Sequence, residues 1–231
     1  MQNEAEFDRF ADAYYQQHRK NIAVTGEEPS YFSEYKIREL KRSVAELNVA
    51  ARDLLDFGCG VGNSVEFFRS YFPNSALACA DVSAKSIEIS QRRFPGSERY
   101  LHIGHDRIPC RDESFDVVFS ACVFHHIDHE SHAHWLQELS RITRPGGLLT
   151  IFEHNPLNPL TVRAVNTCPF DVNARLIGAR QFKQSMQLSW SKAEVDYHVF
   201  FPRALASLRR LEAHLKWLPL GAQYSISARK R

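Results

Sequence analysis

Apolar residues recur at helical spacing from the start of the chain, at Phe7, Phe10, Ala11, Tyr14 and Tyr15. A polar turn at Thr25–Ser30 follows, and a second helix is predicted from about Tyr31 to Ala50. From residue 51 the pattern changes to short apolar runs alternating with amphipathic stretches. Asp53–Phe57, Ala76–Ala80, Arg99–Ile103, Phe115–Ser120, Leu148–Phe152, Glu194–Phe201 and Gln223–Ala228 read as strands. Asn63–Tyr71, Ser83–Phe94, His129–Ile142, Ala179–Leu188 and Arg203–Trp217 read as helices, with Ser83 as an N-cap. Pro73, Pro95-Gly96 and Arg144-Pro145-Gly146-Gly147 separate these elements. Glu153–Asp171, rich in Pro and Asn, reads as a loop or lid. The alternation predicts an α/β fold with a mostly parallel sheet. With no repeat or linker, one domain is expected: a helical cap at 1–50, a core at 51–155, and a C-terminal part of the sheet at 156–231.

Composition narrows the classes. The formal charge of +2 is too mild for a nucleic-acid footprint. The five cysteines form no C-x-x-C pair, which argues against a disulfide framework or structural zinc and for reduced thiols in a cytoplasmic protein. No signal peptide is read at the polar, acidic first residues, and no apolar run approaches a membrane span.

The chemistry concentrates at Asp56-Phe57-Gly58-Cys59-Gly60-Val61-Gly62-Asn63. A strand, a glycine turn and a helix start make a nucleotide-type cradle, because glycine lets a ligand approach main-chain N–H groups. A dinucleotide fingerprint needs a third glycine where Asn63 stands. The pattern is instead acid-x-G-x-G-x-G. Asp81 follows the second strand, where a carboxylate accepts hydrogen bonds from a ribose diol or caps the following helix.

These residues resemble the motifs of class I S-adenosylmethionine (SAM)-dependent methyltransferases. Leu54–Gly62 looks like their glycine-rich motif, and Cys79–Ser83 like their ribose-binding segment. Ile108–Val118 looks like their P-x-x-D-x-S-F-D-V-V segment, and Arg141–Gly147 like their R-x-L-x-P-G-G turn. The motifs keep the family's order across roughly residues 50–155, and are most similar to its small-molecule, quinone-biosynthesis-like branch (types 11 and 12). The resemblance implies a Rossmann-like, seven-stranded sheet with its last strand antiparallel, SAM as cofactor, and a small-molecule acceptor methylated at O, N or C. It implies cofactor contacts from Tyr14, Asp56, Gly58, Cys59, Gly60, Gly62, Asp81, Val82, Ser120 and Ala121. Relatives place an adenine-contacting Asp before the proline matching Pro109. Here Asp106 sits later than usual, so His105 or a backbone group competes with it.

His125, His126 and Glu153 follow the fourth and fifth strands, at the ligand edge of an open α/β sheet. Each is a candidate general base or acceptor-orienting group; packing or loop anchoring is the competing role. His154 is a rival candidate. The His125, His126, Asp128, His129, His132, His134 cluster invites a metal reading, but a helix there should turn several of these side chains to solvent, so no metal is expected. Glu153–Asp171 and Tyr197–Phe201 are expected to shape the acceptor pocket. An NAD-binding oxidoreductase and a non-catalytic SAM-binding module are the alternatives.

Overall fold

Adjacent leucines show how the sheet is built. Successive side chains of a strand point to opposite faces. In β1 (Asp53–Phe57), Leu54 joins Phe68, Phe119 and Phe152 on one face, and Leu55 joins Val118, Trp135 and Leu139 on the other. A strand buried on both faces reads as a continuous apolar run. The structure, a computed structural model, describes residues 25–104, 106–169, 171–186, 190–191 and 193–231. The predicted first helix with Tyr14, the adenine alternative His105, and Leu188 fall outside the described residues.

The remaining strands are β2 (Ala76–Asp81), β3 (Arg99–His102), β4 (Phe115–Ala121), β5 (Thr143–His154), β6 (Glu194–His198) and β7 (Gln223–Arg229). They form one seven-stranded sheet in the order β3-β2-β1-β4-β5-β7-β6. β1 to β5 are mutually parallel, and β7 is antiparallel to both β5 and β6. This is the Rossmann-like arrangement that the motifs implied.

Helix α1 (Pro29–Glu46) and α2 (Val65–Tyr71) cover one face of the sheet through Ile37, Leu40, Val44 and Phe68. α3 (Ala84–Arg93) packs on β2 and β3. α4 (His132–Ile142) and α6 (Ala179–Ser185) cover the other face through Trp135, Leu136, Leu139 and Phe182. α5 (Pro159–Asn166) and the single turn α7 (Glu212–Leu215) lie beyond the C-terminal edge of the motif region. Ser83 caps α3 as predicted, its Oγ accepting from Ser86 N at 3.0 Å.

Several boundaries differ for identifiable reasons. α1 starts at Pro29, whose fixed φ suits a first turn, and it ends before Asn48, at φ 49°. α4 begins at His132, after a short 3₁₀ turn at His129–Ser131. The loop predicted over Glu153–Asp171 contains α5, N-capped by Asn158 Oδ1, which accepts from Leu160 N and Thr161 N. β6 stops at His198 because Val199 takes φ 61°. Arg203–Leu211 is 3₁₀ rather than α-helical. Its leucines 205, 208 and 211 repeat every third residue, the 3₁₀ period.

The Arg144–Gly147 turn lies inside β5. Thr143 pairs with Phe115 and Leu148 with Val117, so the residues between bulge from the ladder. The bulge aims Arg144 at Asp53 and Asp116, with Nη1 2.8 Å from an oxygen of each. Asp116 Oδ2 also accepts from Arg52 N and Asp53 N, at 2.9 and 3.0 Å, and so anchors the start of β1. Burial pushes the Asp116 pKa up, but Arg144 and these N–H groups hold it below the usual carboxylate range. Its contribution is therefore complete above the unfolded value near ~4 and is lost as pH falls through the lower folded value. Asp116→Ala is expected to cost about 2–3 kcal/mol. Thermal unfolding at pH 7 would then drop by roughly 4–12 °C, and the gap between parent and variant should close at low pH. An unchanged midpoint at pH 7 would remove the anchoring role.

Candidate active site

The strand order reverses between β1 and β4, and a crevice opens beyond the carboxyl ends of the strands at such a point. A cavity of about 420 Å³ occupies that place. The glycine turn forms its floor. Gly58 N and Cys59 N donate to Ala80 O, at 2.8 and 3.1 Å, which ties the turn to β2. Gly58, Gly60 and Gly62 all take positive φ (77°, 50° and 81°), a backbone open to glycine at no cost.

The three glycines have different neighbours. A Cβ on Gly58 would lie 2.3 Å from Val123 Cγ2, so the turn is packed against the segment after β4. A Cβ on Gly60 would meet nothing within 4 Å, and Gly60 lines the cavity. A Cβ on Gly62 would lie 2.2 Å from Ser90 Oγ, and Gly62 does not line the cavity. Gly62, expected at the cofactor, packs instead under α3, which its missing side chain lets approach.

Asp81 is buried and fixed at both oxygens. Oδ2 accepts from Gly60 N at 2.7 Å, and Oδ1 from Ser83 N at 2.8 Å. Burial raises its pKa, opposed by the N–H groups of Ser83, Gly60 and Val82. Ser83 itself caps α3, and Asp81 holds the N–H of Ser83 just ahead of it. Asp56 is buried too, and its Oδ2 has no hydrogen-bond partner among the described residues. Burial, followed by the charge of Asp81, pushes the Asp56 carboxyl up to about 7, with Lys36 of α1 acting against the rise. A buried, unpartnered oxygen on a carboxylate that lines a cavity calls for a donor.

Val82, Cys59 and Ala121 also line the cavity. Ser120 does not: it is buried, and its Oγ is unpartnered among the described residues. Neighbours on a strand face opposite ways, and here Ala121 is the one of the pair that lines the cavity. Asp106 is exposed and outside the cavity lining, where its carbonyl takes a hydrogen bond from His134 Nε2 at 2.7 Å. Ile103, at the end of β3, lines that side instead.

At the far end of the cavity two acids and two imidazoles meet. Glu153 Oε1 accepts from Val123 N and Phe124 N, at 3.0 and 2.7 Å, and Oε2 sits 2.6 Å from His125 Nδ1. With both oxygens engaged, Glu153 holds the segment after β4 in place. Its pKa stays low against the effect of burial, chiefly through the charge of His125. Burial would lower His125, but Glu153 and Asp171 raise it to about 10. Burial and the neighbouring His125 push His126 down to about 3. His125 therefore holds its proton at neutral pH and His126 stays neutral. Neither they nor Glu153 is a base poised near neutrality, as the sequence had suggested.

Asp171, which the sequence did not single out, approaches both rings. Its Oδ1 lies 3.7 Å from His125 Nε2 and 3.4 Å from His126 Nε2. His154 also lines the cavity, its ring centroid 5.1 Å from that of His125, whereas His129, His132 and His134 are occupied elsewhere. His132 is buried, not solvent-facing, and its Nε2 donates between Phe124 O and Ile127 O; His129 approaches Arg175 O. The expected acceptor walls are present in part. Asn158, Leu160, Thr161, Val165 and Cys168 line the cavity, as do Phe200 and Phe201, but not Tyr197. Sequence reasoning missed Lys36, Phe32 and Tyr31 of α1, which form the opposite wall. It also missed Cys122, held at φ 58°, whose thiol is lowered to about 7 by His154 and Lys36 against the effect of burial.

Comparison with known proteins agrees with this geometry. Residues 55–151 match the methyltransferase domain family. A ubiquinone/menaquinone biosynthesis C-methyltransferase from Hahella chejuensis is 26% identical over 52% of this chain and 51% of its own length. A thiol S-methyltransferase from Rattus norvegicus is 30% identical over 52% of this chain and 51% of its own. The chain spans about half the length of the curated relatives it matches. A crystal structure from Thermotoga maritima, described as a SAM-dependent methyltransferase and possible histamine N-methyltransferase, superposes with TM-score 0.66 at 19% identity, covering 98% of this chain and 99% of that one. Among the described residues, no helix is long and apolar enough to cross a membrane. With the acid–glycine turn at the switch point, the antiparallel β7 and the match across residues 55–151, the chain has the fold of SAM-dependent methyltransferases, and its central segment is similar to the methyltransferase domain family.

Proposed function

We propose that this chain transfers a methyl group from SAM to a small-molecule acceptor bound in the same cavity. The observation that carries this reading is the continuity of one cavity from the Gly60–Asp81 cradle to the His125–His126–Asp171 cluster. Bound SAM supplies a methyl group already activated by a sulfonium. The chain's task is then to align an acceptor, exclude water and accommodate any proton released. The cradle fits the cofactor on two counts: open space above Gly60, and an unpartnered oxygen on Asp56.

In this reading the open face of Gly60 lies against the cofactor, and Asp81 holds the ribose diol with its remaining lone pairs. Val82 and Ile103 flank the adenine, and Asp56 takes a donor from the amino-acid portion. Glu153 acts as a positioning residue through His125. Phe200, Phe201 and Leu160 give the acceptor's body an apolar wall, and an O, N, S or C atom faces the methyl group.

Isothermal titration with SAM and S-adenosylhomocysteine, followed by a radiolabelled-methyl screen of phenols, thiols and amines, tests this. Failure to bind either nucleoside would end it. A finer result is expected from Asp56. With its carboxyl at about 7, roughly half is protonated at pH 7. A cationic donor from SAM favours the charged form. Binding at pH 7 should therefore release about half a proton, read from titrations in buffers of different ionisation enthalpy. Asp56→Asn should remove that component. Identical buffer dependence in parent and variant would eliminate the Asp56 contact.

A further inference from the structure

The geometry points to a site for a divalent first-row transition ion at His125, His126 and Asp171, at the acceptor end of the cavity. One ligand atom from each of the three lies within 4.8 Å of the others. Asp171 Oδ1 stands 3.4 Å from His126 Nε2 and 3.7 Å from His125 Nε2. One carboxylate oxygen thus contacts both imidazoles as an ion-pair partner. A tetrahedral ion with bonds of about 2.1 Å separates its donors by about 3.4 Å, so the oxygen sits where a shared ion would hold it.

The shell behind these groups has the form that metal sites use. A ligating histidine gives its other ring N–H to a carboxylate, which fixes the tautomer and orients the ring. His125 Nδ1 does this to Glu153 Oε2 at 2.6 Å, and Glu153 is itself pinned by Val123 N and Phe124 N. Asp171 is held by its own backbone, with Asp171 N donating to Cys168 O at 3.1 Å and Ala174 N donating to Asp171 O at 2.9 Å. Two imidazoles and one carboxylate suit zinc, iron, cobalt or nickel better than calcium or magnesium.

Three protein ligands leave a coordination position facing the cavity, the arrangement of a catalytic rather than a structural ion. An acceptor hydroxyl or thiol fits that position. The ion lowers the pKa of a bound O–H or S–H, as it does for bound water. The acceptor's proton leaves to solvent, its oxygen or sulfur forms the bond to carbon, and the carbon–sulfonium bond breaks with its electron pair remaining on the cofactor sulfur. Ion binding itself displaces the Nε2 proton of His125. The catalytic role rests on the methyltransferase reading above, whereas binding of the ion does not.

The test uses the full chain, freed of metal by a chelator and titrated with Co²⁺ in the presence and absence of S-adenosylhomocysteine. One saturable ion per chain is expected, with visible cobalt bands and no thiolate charge-transfer band. His126→Ala and Asp171→Ala should each weaken uptake at least tenfold, and Glu153→Gln about 10–100-fold, with S-adenosylhomocysteine binding retained. No saturable uptake by the parent, a thiolate band, or equal uptake by the variants would overturn the site. Nucleoside binding without ion binding removes this inference alone; ion binding without nucleoside binding removes the methyltransferase reading and leaves the ion site standing.

Discussion

Asp81→Asn is expected to weaken S-adenosylhomocysteine binding about 100-fold while the protein stays folded. The carboxylate does two things at once. Its Oδ2 pegs Gly60 N at 2.7 Å and its Oδ1 takes Ser83 N at 2.8 Å, yet a carboxylate has lone pairs beyond these. In the proposed complex those lone pairs accept the two ribose hydroxyls. Hydrogen bonds to a charged acceptor contribute about 1.5–3 kcal/mol each, and about 2.8 kcal/mol corresponds to 100-fold. Asparagine keeps one oxygen and turns an NH₂ donor toward a backbone N–H donor, so it disturbs the turn as well. Calorimetry with a 2′-deoxy analogue separates the two effects. The parent should lose affinity for the analogue, and the variant should scarcely distinguish it from the ordinary nucleoside. A parent that binds both equally would dissociate Asp81 from the ribose.

The second large effect is a contrast between glycines two residues apart. Gly60→Ala places a methyl group where nothing lies within 4 Å. Its folding cost is confined to a left-handed backbone at φ 50°, about 1–2 kcal/mol. The methyl group intrudes on the cradle, so cofactor affinity should fall by more than tenfold, about 1.4 kcal/mol. Gly62→Ala combines φ 81° with a Cβ 2.2 Å from Ser90 Oγ and 3.1 Å from Phe94. Strain and overpacking together should cost about 2–5 kcal/mol, lowering the unfolding midpoint by roughly 4–20 °C. The residual folded Gly62→Ala protein should bind nearly as the parent does. If both variants lose binding and stability in the same proportion, the division of labour within the turn is wrong.

The glycine turn and the strand before it were legible in the sequence because each signal there is local. Positive φ at Gly58, Gly60 and Gly62 is a steric property of single residues, and the two-residue alternation of Leu54 and Leu55 is a property of a single strand. The misplacements at this end have physical causes too. Gly62 shares its neighbours' backbone conformation but meets α3, and Ser120 lies on the opposite side of β4 from Ala121. Asp106 sits in a loop whose path no periodicity describes.

The acceptor end was only half visible. His125, His126 and Glu153 announced themselves by following strands, but their protonation and engagement arise from contacts that no linear pattern records. Asp171 sits 46 residues beyond His125, past α5, and Lys36 comes from a helix preceding the whole core. By itself, then, the sequence determined the alternation of strands and helices, the glycine turn and the class of nucleotide it suits, since these follow from backbone sterics and short-range burial. Only the tertiary structure decided which carboxylate stands bare, which histidine is charged and which acid meets the imidazole pair. Those properties depend on distance and desolvation between groups far apart in the chain, and packing alone brings such groups together.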